Sequence, residues 1–84
     1  MKTLKLKALY KVNIRMGDRP EIKADNIKGT IRKGQTFITN VEEIENGPEG
    51  IAGNSNLKWY KDSNGDFLWS GGFSAEEVKG TESS

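Results

Sequence analysis

From Leu4 to Ile14 the chain alternates with a period of two. Leu4, Leu6, Ala8, Tyr10, Val12 and Ile14 are apolar, and of the residues between them only Leu9 breaks the polar series Lys5, Lys7, Lys11 and Asn13. Side chains of a strand point alternately to its two faces, so this pattern predicts a half-buried strand, divided or bent near Leu9. Lysines along its outer face discourage edge-to-edge pairing with other molecules. A chain that opens on a one-sided strand must supply further strands to cover it.

Those strands are legible downstream. Met16-Gly17-Asp18-Arg19-Pro20 halts the alternation, because glycine tolerates positive φ and proline lacks an amide donor and forces Arg19 into an extended conformation. Glu21 to Asp25 continues as a polar excursion. Ile27 and Ile31 flank Lys28-Gly29-Thr30, and Arg32-Lys33-Gly34-Gln35 reads as a turn into a strand over Thr36 to Val41, with Phe37, Thr39 and Val41 on one face. Glu42 to Asn56 is rich in Gly, Glu and Asn and reads as a long loop anchored by Ile44, Ile51 and Ala52, or as a loop holding an extra strand pair around Ile51. Leu57 to Lys61 and Asp66 to Ser70 flank Asp62-Ser63-Asn64-Gly65, which predicts a tight hairpin with Asn64 and Gly65 at its tip. Gly71-Gly72-Phe73 bends the chain back. Ser74-Ala75-Glu76-Glu77 has capping-box spacing, so one helical turn is expected there before a frayed end.

The sum is an all-β fold, a small barrel or compact two-sheet sandwich of five to six short antiparallel strands. With 84 residues the chain has room for one core. The expected division is a single β-barrel domain over 1–73 and an acidic, flexible tail over 74–84.

Composition restricts the chemistry. The chain has no cysteine and no histidine, which removes disulfides, thiolate and imidazole catalysis, and the usual zinc sites. Glu42 with Glu43, and Glu76 with Glu77, are sequence neighbours that point apart in extended backbone, so neither pair can flank a scissile bond. No histidine is present to activate a serine, and there is no Ser-x-x-Lys motif. Asp62-Ser63-Asn64-Gly65-Asp66 offers the first oxygens of a calcium loop, but Phe67 and Phe73 stand where its glycine and bidentate glutamate belong, so a hairpin turn is the better reading. Gly71-Gly72 has no following helix to help cradle an anion, and a tight corner explains it. The expectation is a non-enzyme with no cofactor and no metal. Apolar runs are no longer than Ala8-Leu9-Tyr10, far short of the ~20 residues of a membrane span. Lys2 to Lys7 lacks the apolar core of a signal peptide.

The formal net charge of +1 hides an asymmetry. Residues 1–33 hold ten basic and three acidic side chains, a balance of +7, whereas residues 34–84 hold three basic and nine acidic, a balance of −6. One reading is a basic face for an anionic polymer. The other, favoured by the near-neutral total, is that the halves interleave in space so that Lys and Glu meet across neighbouring strands. That total argues against nucleic acid as a partner.

Five of the seven aromatics, Trp59, Tyr60, Phe67, Trp69 and Phe73, lie within fifteen residues. Adjacent residues such as Trp59 and Tyr60 face opposite sides of a strand, so some ring surface is expected outside the core, where it suits stacking on peptide or sugar.

The order of these pieces resembles the bacterial Src-homology-3-like domain family. The resemblance rests on Val12-Asn13-Ile14-Arg15-Met16-Gly17-Asp18, on Asn26 to Phe37 with its Ile, Gly and Lys-Gly pattern, and on Trp59-Tyr60-Lys61 followed across the hairpin by Trp69. It covers Leu9 to Phe73. The chain departs from the family at Asp18, where proline is common, at Leu68, where glycine usually precedes the tryptophan, and at Ser70, where valine usually follows it. The resemblance implies a Src-homology-3-like barrel acting as a non-catalytic targeting module. Such a module binds cell-wall peptides, among them the peptidoglycan stem peptide, and is often joined to an envelope hydrolase or peptidase, which places it in the cell envelope or outside the cell. The implied groove lies between the Gly17 to Asp25 excursion and the last hairpin. Its expected lining is Tyr10, Trp59, Tyr60 and Trp69, with Asp18 and Asp25 meeting a cationic group. The alternative is a protein-interaction or assembly domain using the 42–56 loop or a sheet edge.

Overall fold

A computed structural model of the chain describes residues 2–50 and 53–78. It is all-β, with seven antiparallel strands in one sheet and no α-helix among the described residues. The strands are β1 (Lys2–Ala8), β2 (Val12–Arg15), β3 (Ile27–Ile31), β4 (Thr36–Ile44), β5 (Trp59–Asp62), β6 (Phe67–Trp69) and β7 (Phe73–Glu77). The order across the sheet is β3-β2-β6-β5-β4-β1-β7. The alternating opening stretch divides at Leu9, as expected, into β1 and β2, and the division turns Tyr10 out to 52% exposure.

β4 is the hinge of the architecture. Its residues Thr36 to Val41 pair with β1 and its residues Val41 to Ile44 pair with β5, so the sheet changes neighbours at fully buried Val41. All seven strands send side chains into one core: Leu4, Leu6 and Ala8 from β1, Val12, Ile31, Val41, Tyr60, Leu68 and Phe73 from the others. Phe37 meets Phe73 edge to face at 5.9 Å between centroids. The ladder itself stays open, with β3 and β7 as its two edges, and is not closed by hydrogen bonds.

Three expectations change. The helical turn at Ser74 to Glu77 is instead strand β7, whose backbone pairs with β1 from Ala8↔Phe73 to Leu4↔Glu77. The pairing needs of β1 override the local capping signal, and Lys5 opposite Glu76 adds a favourable cross-strand charge pair. Residues 74–77 therefore belong to the sheet, while 79–84 and the strand pair expected around Ile51 fall outside the described residues. The hairpin is also built differently. Gly65 N–H donates to the Asp62 carbonyl at 3.0 Å and Asp62 N–H to the Asp66 carbonyl at 2.9 Å, with Gly65 at φ +83° and Asn64 at negative φ. This is a turn centred on Ser63 and Asn64 followed by a left-handed glycine, and not a two-residue Asn-Gly tip. Asp62 Oδ1 accepts from both Asn64 N–H and Asp66 N–H at 2.9 Å, which commits it to the turn. No helix among the described residues is long and apolar enough to cross a membrane.

Leu6 is fully buried and Ile38, from the opposite face, is 62% exposed. Leu6→Ala should lower the unfolding free energy by about 2–5 kcal/mol and Ile38→Ala by less than about 0.5 kcal/mol in urea titrations. Equal effects would contradict the assignment of faces.

Candidate functional site

The β5–β6 hairpin is apolar on both sides. Register pairs Tyr60 with Leu68, both in the main core, and Trp59 with Trp69, which join Phe67 and Ile44 in a second cluster. The expectation that some aromatic surface of this set lies outside is corrected, because Trp59, Tyr60, Phe67, Trp69 and Phe73 are all buried. The cover on the second side is the acidic, glycine-rich loop after β4. Gly47 N–H donates to the Leu57 carbonyl at 2.8 Å and closes the loop base. Trp59 Nε1 donates to the Pro48 carbonyl at 2.9 Å, and Trp69 Nε1 to the Asn56 carbonyl at 2.8 Å. A Cβ on Gly47 would stand 2.4 Å from Trp59, and one on Gly50 2.1 Å from Trp69. Glycine there lets bare backbone lie flat on the indoles.

Beside this cluster opens a cavity of about 90 Å³. Its walls come from Tyr10 and Lys11 before β2, Asn13 and Arg15 of β2, Ile22 from the excursion between β2 and β3, Gly50 with Trp59 and Trp69, and Gly72 of the turn before β7. Tyr10 and Ile22 are half exposed and form an apolar rim. Of the residues expected from the sequence, Tyr10, Trp59 and Trp69 meet here, but the tryptophans serve as walls and not as free stacking platforms. Tyr60 does not reach the cavity, since it sits on the opposite face of β5 among Leu4, Leu6 and Leu68. Asp18 and Asp25 are exposed on the excursion and neither lines the cavity.

Arg15 was not among the residues expected. It is 8% exposed, and its Nη1 donates to the Lys23 carbonyl at 2.7 Å and to Asn26 Oδ1 at 2.9 Å. Asn26 in turn donates through Nδ2 to the Glu21 carbonyl at 2.8 Å, and Met16 N–H to the Asn26 carbonyl at 2.9 Å. The guanidinium thus ties the excursion to β2 and fixes the wall that carries Ile22. An arginine at the end of a strand pattern reads as a solvated terminus; its partners lie eight and eleven residues on, beyond any local signal. Ile22, the lone apolar residue between Pro20 and Asn26 other than Ala24, was the available clue.

Two basic residues of the first half, Lys2 and Lys28, meet acids of the second half. Lys28 Nζ meets Asp66 Oδ2 at 2.8 Å, and this contact holds the lysine above its ordinary range. Lys2 and Lys58 meet Glu43 at 3.3 and 3.5 Å. Partial burial pushes Glu43 up, but the hydrogen bond from Lys2 and the charges of Lys58 and Lys2 outweigh it and leave its carboxyl below 4.5. Burial raises the Tyr60 hydroxyl above 10.0, with Glu43 adding to the effect.

The cavity holds room for roughly three waters or one side chain, well under the ~300 Å³ of a cofactor pocket. Among the described residues no carboxylate, serine or threonine lines it. Its chemistry is therefore that of a small apolar slot with cationic and amide donors. No known family model matches the chain, and no curated protein or solved structure matches it.

The lowered carboxyl of Glu43 has a definite pH consequence. Its contribution to stability is complete above 4.5 and is lost as pH falls through its lower folded value. Urea midpoints should fall as pH drops below 4.5, and Glu43→Gln should make that decline shallower; an unchanged decline would count against the Lys2–Glu43–Lys58 contacts.

Proposed function

We propose that this chain is a non-catalytic binding module, a Src-homology-3-like barrel that receives an extended peptide at the cavity beside Trp59 and Trp69. The observation that carries the reading is the cavity itself: a one-side-chain slot with exposed Tyr10 and Ile22 on its rim, set between a long excursion and a rigid hairpin. Peptide recognition suits such a slot because one anchored side chain fixes register while the rest of the ligand lies along the surface. Support for the barrel reading comes from β4, which passes from one half of the sheet to the other, and from the 3₁₀ turn Ser70–Gly72 that leads into the last strand. The ligand class implied by the family resemblance is a cell-wall stem peptide presented to a linked envelope hydrolase. The alternative is a protein-interaction or assembly domain using the 42–56 loop, where Glu42, Glu45 and Glu49 are exposed, or a sheet edge at β3 or β7.

Titration of ¹⁵N-labelled protein with stem peptide or muropeptide should move the amides of Tyr10, Lys11, Asn13 and Ile22 and the Trp69 indole. Amides of Thr3, Ile38 and Asn40, on the far side of the sheet, should stay in place. A spectrum that does not change, or one that changes only on the β1–β4 outer face, would refute the proposed site.

A further inference from the structure

Resting on the peptide reading above, we infer that the cavity selects a peptide by an acidic side chain whose carboxylate docks on the free edge of the Arg15 guanidinium. The sequence-based expectation, in which Asp18 and Asp25 meet a cationic group, gives the opposite sign of ligand.

Arg15 is a buried cation whose protein partners are neutral. Its two acceptors are a backbone carbonyl and an amide oxygen, and no carboxylate among the described residues lies within ion-pair distance. A guanidinium carries five N–H donors in a planar fork, of which Nη1 uses its two on Lys23 and Asn26. Nε and Nη2 donate to no described residue. Yet no buried side-chain nitrogen among the described residues is sealed without a partner, so these donors keep some access to solvent, and Arg15 is one of the residues that line the cavity. A buried charge lacking a counter-ion is costly, and a ligand carboxylate removes that cost while forming charge-assisted, potentially bidentate hydrogen bonds.

The surroundings agree in sign. Exposed Lys11 lines the same cavity, Asn13 adds an amide, and no acidic residue among those described contributes. Four other basic residues of the first half have acidic partners, Lys2 with Glu43, Lys28 with Asp66, and Arg19 and Lys23 with Glu21, while Lys5, Lys7, Arg32 and Lys33, none of which lines the cavity, form no ion pair among the described residues. The cavity is thus one local cationic point in a molecule of formal net charge +1. A chain-terminal carboxylate is usually held by a nest of successive backbone N–H groups. Here the wall supplies side chains, and its two glycines, Gly50 and Gly72, come from separate segments. The slot accordingly takes a side-chain carboxylate, with an apolar neighbour resting on Tyr10 and Ile22.

The test uses capped hexapeptide libraries, acetylated and amidated at their ends, with Glu, Gln or Lys fixed at the third position and the rest randomised. Binding is read by fluorescence polarisation at low and physiological salt. The Glu library should bind on the order of tenfold tighter than the Gln library, with the Lys library weakest, and the preference should shrink with salt. Lys11→Glu, at an exposed position of the lining, should cut the ratio of Glu-library to Gln-library affinity severalfold. Arg15→Lys should abolish most of the preference if its amide spectrum stays folded, and should it unfold, Lys11→Glu still decides. Equal binding of Glu and Gln libraries, or a Lys preference, overturns the carboxylate inference but leaves the peptide site standing. Preference for a Gln peptide with a free C-terminal carboxylate over the capped Glu peptide, or displacement by inorganic phosphate or an oligonucleotide, also overturns it. Failure of every library to bind overturns the peptide reading together with this one.

Discussion

The fold depends on covering a hairpin that is apolar on both faces. In a sheet this small, one face of β5–β6 packs on the strands of the main core, and Trp59, Phe67 and Trp69 on the other face need a separate cover. The loop after β4 supplies it. Truncating a buried tryptophan costs about 3–5 kcal/mol, whereas a satisfied hydrogen bond contributes roughly 1 kcal/mol, so packing is the larger effect. The indole hydrogen bonds do something different: each N–H must find an acceptor once buried, and Pro48 and Asn56 provide those acceptors only with the loop in one register. Gly47 and Gly50 then follow as requirements of close approach, and the position of Gly50 sets one wall of the cavity.

The opposite wall has a comparable cause. Arg15 Nη1 holds the excursion between β2 and β3 by donating to the Lys23 carbonyl, while the Asn26 side chain links Arg15 to Glu21. Tertiary hydrogen bonds at the two ends of the cavity thus keep it open between rigid supports. The proposed role of the chain as a peptide-binding module rests on this construction, because a preformed slot avoids the ordering cost a flexible loop would carry.

Much of the sheet was legible because period-two patterning is a local signal. Leu4 to Ile14, Thr36 to Val41 and the two aromatic runs all became strands, and the irregularity at Leu9 marked the break between β1 and β2. The remaining features are non-local. Alternation correctly put Trp59 and Tyr60 on opposite faces, but it carries no information on whether both faces are covered, and the covering element is a glycine-rich loop with no periodicity. Ser74 to Glu77 carried a helix-start signal that lost to an unpaired edge of β1. Arg15 looked like a polar strand end, and only its partners at 23 and 26 made it a buried wall. Asp18 and Asp25 follow from the groove that the family resemblance implies beside the excursion, and the excursion folds so that both are exposed away from the cavity lining.

The central claim is that Trp59 and Trp69 are scaffold, roofed by the loop, and that the site lies beside them. Proton exchange at the two indole Nε1–H groups tests this most directly, by following their NMR signals after transfer to D₂O. Both should outlast the exposed loop amides of Gly53, Ser55 and Ser63 by orders of magnitude. Indole signals that vanish as fast as those of free tryptophan would contradict it, since the loop would then not be seated and the cavity would lack one of its walls.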